Sequence, residues 1–205
     1  MLLHDSRREA RLDGAGDLVV LEEQDRSRWN KEQIEEALPL TDEAFLGEHG
    51  IPGARYRAQR GQAAGVATLS PSARGGVGPG PYALQAAIVA VHCQAERAED
   101  TDWPRIVRLY NQLKRLQPSP IVSLNRAVAI AMVDGPRSGL ALIDALATSG
   151  DLDGYHLLHA ARADLLRRLG SSSEAAKSYT RALELVTNES ERRFLEKRLR
   201  EVNPG

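Results

Sequence analysis

From Pro81 to Val202 the apolar residues recur every three or four positions, in successive segments separated by short turns. This period places the apolar side chains on one face of an α-helix. Between the segments lie residues that end or begin helices, among them Pro118-Ser119-Pro120 and Asp134-Gly135-Pro136. The pattern predicts three helical hairpins followed by a last helix, and therefore an all-α fold.

The third predicted hairpin, Tyr155 to Leu185, carries the most specific spacing. Its second helix places Ala175, Tyr179 and Ala182 in a small, aromatic, small order, and its first helix offers the small residue Ala163. Small residues let two helices approach closely, while the ring fills the gap between hairpins. This spacing is typical of a tetratricopeptide repeat, a helical-repeat unit that works by binding.

The earlier hairpins keep the same period. The equivalent ring or branched residues are Tyr110, Ile143 and Tyr179, which are 33 and 36 residues apart, close to the repeat length of about 34. The second unit has Gly139 and Leu146 at the small positions. We therefore predict degenerate repeats stacked into an α-α superhelix, with the charged segment 188–202 as the capping helix.

The first 46 residues predict a helical segment with a short hairpin. Met1 opens an amphipathic stretch without a cap, so we expect sequence upstream. Residues 13–17 supply a turn, which predicts a small hairpin or extended excursion before the apolar run 18–21. Asp25 or Ser27 is the predicted cap of a helix over about 29–45, and Pro39 predicts an interruption in it.

Residues 47–80 hold Gly and Pro at close intervals without a sustained period. We predict a long loop or linker there, which divides the chain into an N-terminal segment (1–46), this linker and the repeat domain (81–205).

Composition excludes several classes of protein. Lys and Arg number 27 against 28 for Asp and Glu, so no overall positive charge favours a nucleic-acid backbone. The single cysteine, Cys93, lies in an apolar run and predicts a buried thiol in a reducing compartment. A bilayer span needs roughly 18 apolar residues, and no run approaches that length. We therefore expect a cytoplasmic protein without membrane contact.

Several stretches together resemble one family: LLHDSRREARLD, LVVLEEQDRSRWN, GPGPYALQAAIVAVH, AEDTDWPRIVRLYNQL, PSPIVSLNRAVAIAMVDGP and GYHLLHAARADLLRRLG. They are similar to the C-terminal, tetratricopeptide-like extension of extracytoplasmic-function (ECF) RNA polymerase sigma factors of the sigma-70 family. In that family the helix after DRSRW reaches the GPYQLQAA-like motif through a short connection. The longer Gly-rich segment of this chain is a departure from the pattern.

The resemblance implies a regulatory domain that modulates transcription initiation through contacts with the sigma core or RNA polymerase. The family's promoter-melting and promoter-reading regions precede the LLHD motif and are absent from this sequence. Promoter DNA would therefore be contacted only through those absent domains. The chain is expected to be the extension alone, either an excised domain or a truncated gene product.

The candidate interaction residues are those of the matching motifs. They are Asp25, Arg26, Arg28, Trp29, Tyr82, Gln85, Asp102, Trp103, Asn125, Arg126, Tyr155 and His159. Some of them are expected to be structural. For the cluster from Asp25 to Trp29, a capped helix with Trp29 docked in the core is favoured over a direct contact with a partner.

No enzymatic activity, cofactor or small-molecule substrate is predicted. His156 and His159 have a spacing that could supply two metal ligands, but no third ligand is evident nearby, and packing with hydrogen bonding is favoured. His4 with Asp5, and Asp164 near His159, lack a nucleophile or an oxyanion loop, so charge networks are favoured over acid-base catalysis. A small hydrolase is therefore the least favoured class.

Two binding functions remain open: the sigma-factor domain, and a free-standing repeat scaffold that binds another protein or peptide outside transcription. A reading frame that extends upstream through promoter-reading helices would favour the first. The groove positions Val128, Ala131 and Met132 are apolar, so we expect the N-terminal helices of the chain to fill the groove.

Overall fold

The computed structural model describes residues 2–46 and 79–203. Within these ranges the chain forms α-helices joined by short turns and three short 3-10 helices (Arg8–Ala10, Arg26–Arg28 and Ala98–Asp100). The α-helices are α1 (Leu2–Asp5), α2 (Lys31–Leu46), α3 (Pro81–Gln94), α4 (Trp103–Leu116), α5 (Pro120–Asp134), α6 (Pro136–Ser149), α7 (His156–Arg168), α8 (Ser172–Leu185) and α9 (Glu189–Val202).

Each of the helices from α3 to α9 packs against the next one along the chain. The predicted hairpins are therefore α3 with α4, α5 with α6 and α7 with α8, and α9 covers the open side of α8 as the capping helix. Apolar clusters follow one another through the stack, and Leu140 contacts two of them. The all-α, tetratricopeptide-like superhelix is confirmed.

The third hairpin has the packing that its sequence predicts. Ala163, Ala175 and Ala182 are fully buried, and the Tyr179 side chain is 1% exposed within the same cluster. The small residues bring α7 and α8 together, and the phenol ring occupies the space left between hairpins.

The second hairpin depends on Gly139 for its closest approach. A Cβ atom at this position would lie 2.8 Å from the carbonyl oxygen of Ala127 and would collide with the Cβ atom of Ala131. Ile143, one turn further along α6, is fully buried. Glycine at this small position therefore lets α5 and α6 approach more closely than alanine would.

The first hairpin begins with the predicted cap. The Asp102 carboxylate accepts a hydrogen bond of 2.9 Å from the Arg105 amide, and Pro104 lies in the first turn of α4. Ile106, Leu109 and Leu113 are at most 1% exposed. This α4 face completes the core with α3.

The N-terminal excursion is confirmed. Leu12 and Leu18 form an isolated antiparallel bridge, and the Asp13 carboxylate accepts hydrogen bonds of 2.9 Å from the amides of Ala15 and Asp17. Gly16 has a φ of +80°, which is accessible to glycine at little cost. The turn is thus fixed by residues that the sequence singles out.

Two expectations for the next helix are wrong. Asp25 caps the 3-10 helix Arg26–Arg28, whereas Asn30 caps α2 by accepting a hydrogen bond of 3.0 Å from the Gln33 amide. Helix α2 also runs through Pro39 without interruption. Pro39 is exposed, so solvent can satisfy the carbonyl group that loses its amide partner.

The N-terminal segment packs on the first repeat helix. Leu3, Trp29 and Ile34 form one buried cluster with Val89 and Ala90 of α3. The division into a segment, a linker and a repeat domain stays a prediction, because the predicted linker 47–80 lies outside the described residues apart from its last two.

Candidate docking groove

The inner face of the superhelix encloses a cavity of about 570 Å³. It lies between helices α3, α4, α5, α7, α8 and α9 and the non-helical residues 12–24, which we call the strap. Its lining comprises Val20, Leu21, Glu22, Glu23, His92, Trp103, Ile106, Tyr110, Asn125, Val128, Ala129, Ala160, Asp164, Arg167, Arg168, Tyr179, Phe194, Leu195 and Arg198. The volume is within the range of about 300–1,000 Å³ usual for ligand sites.

The walls of this groove are mainly apolar. Trp103, Tyr110, Val128 and Phe194 line it and are each half-buried. They come from three different helices, so the wall exists only because the hairpins stack. A surface with aromatic and aliphatic side chains and a charged rim is typical of protein-binding sites.

The strap spans the groove and is tied to the capping helix. The Arg193 Nε donates to the Asp17 carboxylate at 2.5 Å, and its Nη2 donates to the Gly16 carbonyl at 2.8 Å. The Arg198 guanidinium forms a second ion pair with Glu23 and also stacks over the Phe194 ring. These contacts join residues about 175 positions apart in the chain.

The charged groups at the rim lie close enough to shift one another's pKa values. Partial burial raises the pKa of Glu22, while the nearby Arg168 lowers it. Arg167 donates a hydrogen bond of 2.6 Å to Asp164, and Arg168 contacts the Met132 sulfur at 3.4 Å. The arginines of the rim are therefore the groups that face the carboxylates of the strap.

His92 lies at the floor of the groove in an apolar setting. It is 9% exposed, and its ring meets Trp103 edge to face at 5.2 Å between centroids. Burial, with smaller contributions from the cations Arg7 and Arg26, lowers the pKa of His92 to about 4. This imidazole is neutral at physiological pH.

The expectation for the groove is partly wrong. The N-terminal helices do not fill it, because α1 and α2 pack against α3 instead. The strap residues Val20 to Glu23 line it together with Val128, which is half-buried. A short turn fits this curved space, whereas the apolar face of α2 is already buried at Ile34 and Ala37.

The motif from Asp25 to Trp29 joins the N-terminal segment to α3. Arg26 donates to the carbonyl oxygens of His92 at 2.8 Å and Ala95 at 2.6 Å, at the end of α3 where carbonyls lack helical partners. Its guanidinium lies 4.8 Å from the centre of the Trp29 ring, which is 4% exposed. Arg28 is exposed and donates to the Glu9 carbonyl.

The motif residues of the first two hairpins divide between capping, lining and exposed positions. Asp102 is the cap of α4, and Trp103 packs on the first core cluster and lines the groove. Arg126 donates a hydrogen bond of 2.6 Å to the Asn111 side chain, linking α5 to α4. Asn125 is exposed at the groove.

The other motif residues lie at opposite ends of the stack. Tyr82 is 87% exposed on the first turn of α3, and Gln85 is exposed one turn later. Tyr155 packs on the second hairpin's cluster, and the His159 ring lies 3.0 Å from the Asp153 carbonyl oxygen. The twelve residues are therefore not brought together in one place.

Sequence reasoning missed the basic rim of the groove. Arg193 and Arg198 lie on α9, where charged residues indicate only a solvated capping helix. Their partners Asp17 and Glu23 lie at the other end of the chain. An ion pair between residues this far apart in the chain leaves no pattern in the local sequence. The acidic residues that flank the apolar run 18–21 are the sequence feature that could have indicated basic partners elsewhere.

The predicted charge networks and the histidine pair can also be placed. His4 contacts Arg7 at 3.3 Å, and His156 pairs with Glu191 at 2.8 Å. In residues 2–46 and 79–203, no group of three or more His, Cys, Asp or Glu side chains is arranged to hold a metal ion. Over the same ranges, none of the helices is both long and apolar enough to cross a bilayer.

Comparisons with known proteins give two likenesses and one absence. Residues 1–45 match a family of unknown function (DUF6596). The chain is 41% identical over 199 residues, 97% of its length, to an uncharacterized protein of Rhizobium meliloti (strain 1021). It spans 40% of that relative's length. No solved structure matches the chain.

Proposed function

We propose that this chain is a regulatory domain of an ECF sigma factor, which modulates transcription initiation by binding the sigma core or RNA polymerase. The observation that carries the proposal is the way the resembling motifs fit together. The LLHD and DRSRW motifs pack on α3, which carries the third motif, through one buried cluster. Motifs that cooperate in one packed unit support a resemblance better than scattered matches do.

The lengths of the proteins are compatible with this proposal. The Rhizobium meliloti relative is longer than this chain, which spans 40% of it. Such a protein has room for sigma core regions beside the part matched here. The relative is itself uncharacterized, so its length is compatible with the proposal and its activity adds nothing to it.

Binding is proposed in preference to catalysis. Two pairs of charged side chains at the groove, Asp164 with Arg167 and Glu23 with Arg198, are engaged in ion pairs. A catalytic acid or base needs a free proton-transfer position near a substrate, whereas the first pair lies within α7 and the second joins the strap to α9. The apolar walls suit a protein surface.

The exposed residues of α3 are the proposed contact with the sigma core. Tyr82 and Gln85 lie one helical turn apart and both face solvent. Ala86 follows on the wall of a shallow depression of about 210 Å³, which Leu2 and the half-exposed Leu40 also line. An exposed aromatic residue beside an apolar depression is a common centre of a protein interface.

Co-purification tests this function. The tagged chain is co-expressed with ECF sigma core regions and, separately, incubated with core RNA polymerase, and retention of either partner is measured. The proposal predicts that at least one partner is retained in stoichiometric amount. Absence of both, with the chain folded by circular dichroism, would contradict it.

The second candidate is a free-standing scaffold that binds another protein or peptide. The apolar groove favours it, because such a groove serves recognition in any pathway. Retention of unrelated proteins with neither sigma core nor polymerase would favour this candidate.

A further inference from the structure

The strap lies in the groove much as a bound peptide would. Its residues Val19, Val20 and Leu21 are half-buried, and two of them line the cavity. Residues 21–23 form a turn, in which the Glu23 amide donates to the Val20 carbonyl at 2.9 Å. The bonds that fix its shape are local, such as the Val19 amide to the Arg11 carbonyl at 2.8 Å and the Gln24 side chain to the Val19 carbonyl at 3.0 Å. The strap thus keeps its own form and contributes side chains to the groove.

The side chains of the strap and the rim are complementary in charge. Asp17 pairs with Arg193 and Glu23 pairs with Arg198, both on α9. Glu22 lies between them within the influence of Arg167 and Arg168 at the end of α7. The acidic residues of the strap therefore face arginines of α9 and α7. Its aliphatic residues face the apolar wall of the groove.

The strap is held by contacts that are weak in water. The Asp17 side chain is 39% exposed and that of Glu23 is 53% exposed, so solvent reaches the carboxylate of both ion pairs, although the Arg198 side chain is only 14% exposed. Leu12 is 42% exposed, and the strap's aliphatic residues are only half-buried. A segment with this anchoring can leave the groove without disturbing the helical stack.

Polar atoms at the groove lack partners while the strap is in place. Within the described residues, His92 Nδ1 and Arg167 Nε, which both belong to lining residues, are buried and form no hydrogen bond. Buried polar groups without partners are costly. A segment that enters the groove more deeply than the strap would have donors and acceptors to meet.

We propose that the groove binds a short, non-helical segment of a partner protein with the chemistry of the strap, two or more aliphatic residues followed by two acidic ones, and that this segment displaces the strap. The strap is then an internal competitor that keeps the groove closed until such a partner is present. This proposal concerns the groove and does not depend on the partner being a sigma factor.

The probe is a fluorescein-labelled peptide with the sequence DLVVLEEQ of residues 17–24, and binding to the full chain is followed by fluorescence polarisation. Two double variants break the same two ion pairs from opposite sides. Asp17→Asn with Glu23→Gln neutralises the strap, and Arg193→Gln with Arg198→Gln neutralises the rim. Both release the strap, but only the first leaves the rim able to bind the acidic probe.

The proposal predicts that the strap variant binds the probe about fivefold more tightly than the original chain, since losing two exposed ion pairs raises the open fraction by about that factor. The rim variant binds it more weakly than the strap variant. A control peptide, NLVVLQQQ, which lacks the acidic side chains, binds the strap variant more weakly than the probe does and does not distinguish the strap variant from the rim variant. Hydrogen exchange of residues 18–23 in the original chain becomes faster when the probe saturates it.

Three results would overturn the proposal. One is no binding of the probe by any of the three proteins when circular dichroism shows them folded. Another is equal tightening in both variants, which would mean that an exposed apolar surface binds peptides without regard to charge. The third is tight binding with unchanged exchange in the strap, which would place the peptide elsewhere.

Discussion

Arg26 donates a hydrogen bond of 2.6 Å to the carbonyl oxygen of Ala95, which lies 69 residues further along the chain. The same nitrogen reaches the carbonyl of His92, so one guanidinium caps the end of α3 and holds the N-terminal segment against the repeats. A cation at the carboxyl end of a helix is also favoured by the helix dipole. Arg26 is therefore a structural centre of the molecule.

Arg26→Ala is expected to destabilise the chain by about 2–3 kcal/mol. It removes charge-assisted hydrogen bonds to two carbonyls and leaves the Trp29 ring uncovered. Urea denaturation measures the loss. Arg28→Ala is the matched control from the same motif, exposed and bound to a single carbonyl, and should cost less than about 1 kcal/mol. Equal losses in the two variants would show that Arg26 has no special role.

Gly139→Ala is expected to destabilise the second hairpin by about 1–3 kcal/mol, because the new methyl group would overlap Ala131 and force α5 and α6 apart. The sign of the change in the free energy of unfolding is diagnostic, since alanine in a helix is ordinarily favoured over glycine by about 0.5–1 kcal/mol. Gly154→Ala is the control, as a Cβ there meets open space. A more stable Gly139→Ala variant in thermal denaturation would refute the close contact.

Tyr179→Ala is expected to cost about 3–5 kcal/mol, because the side chain is 1% exposed at the centre of the third hairpin. Tyr82→Ala removes the same atoms from a site that is 87% exposed and should change stability by less than about 0.5 kcal/mol. Denaturation midpoints of the two variants compare a core ring with a surface ring directly. Similar midpoints would mean that the repeat packing is wrong.

Stability is expected to fall as the pH drops below about 6.5. The unfolded chain binds a proton at His92 near its ordinary pKa, whereas the folded chain resists protonation down to a pKa of about 4. Folding stability is therefore fully present above the unfolded value and decreases through the window between the two, by about 2–3 kcal/mol at pH 4.5.

His92→Gln separates this contribution from those of the other ionisable groups. The variant should lose less stability than the original chain between pH 7.5 and pH 4.5, with the difference near the figure above. The pKa of His4 is also lowered, mainly by burial. The stability of both proteins therefore keeps some further dependence on pH. If the free energy of unfolding changes equally with pH in the two proteins, His92 is not a buried neutral group.

Most of the helical stack follows from local signals. The boundaries of α4 and α5 come from Asp102, Pro104 and Pro120, whose effects act within one turn. The contact of α7 with α8 follows from the spacing of Ala163 and Tyr179, because small and aromatic positions fix how two helices fit. Such information is contained in a few neighbouring residues.

The groove was only partly predictable, because its closure depends on distant pairs. Nothing near Glu23 shows that Arg198 is its partner, and the strap crosses a space created by helices that follow it in the chain. Pro39 was misjudged for a related reason, since its effect depends on whether the bare carbonyl faces solvent. Long-range contacts and exposure are properties of the fold.

Affinity of the folded chain for its proposed partners decides whether it acts in transcription, and biolayer interferometry against ECF sigma core regions and core RNA polymerase measures it. We expect saturable binding to at least one of them, and a loss of about tenfold or more for the exposed double variant Tyr82→Ala with Gln85→Ala, whose stability is unchanged. If the original, folded chain binds neither partner, the proposed role in transcription is wrong.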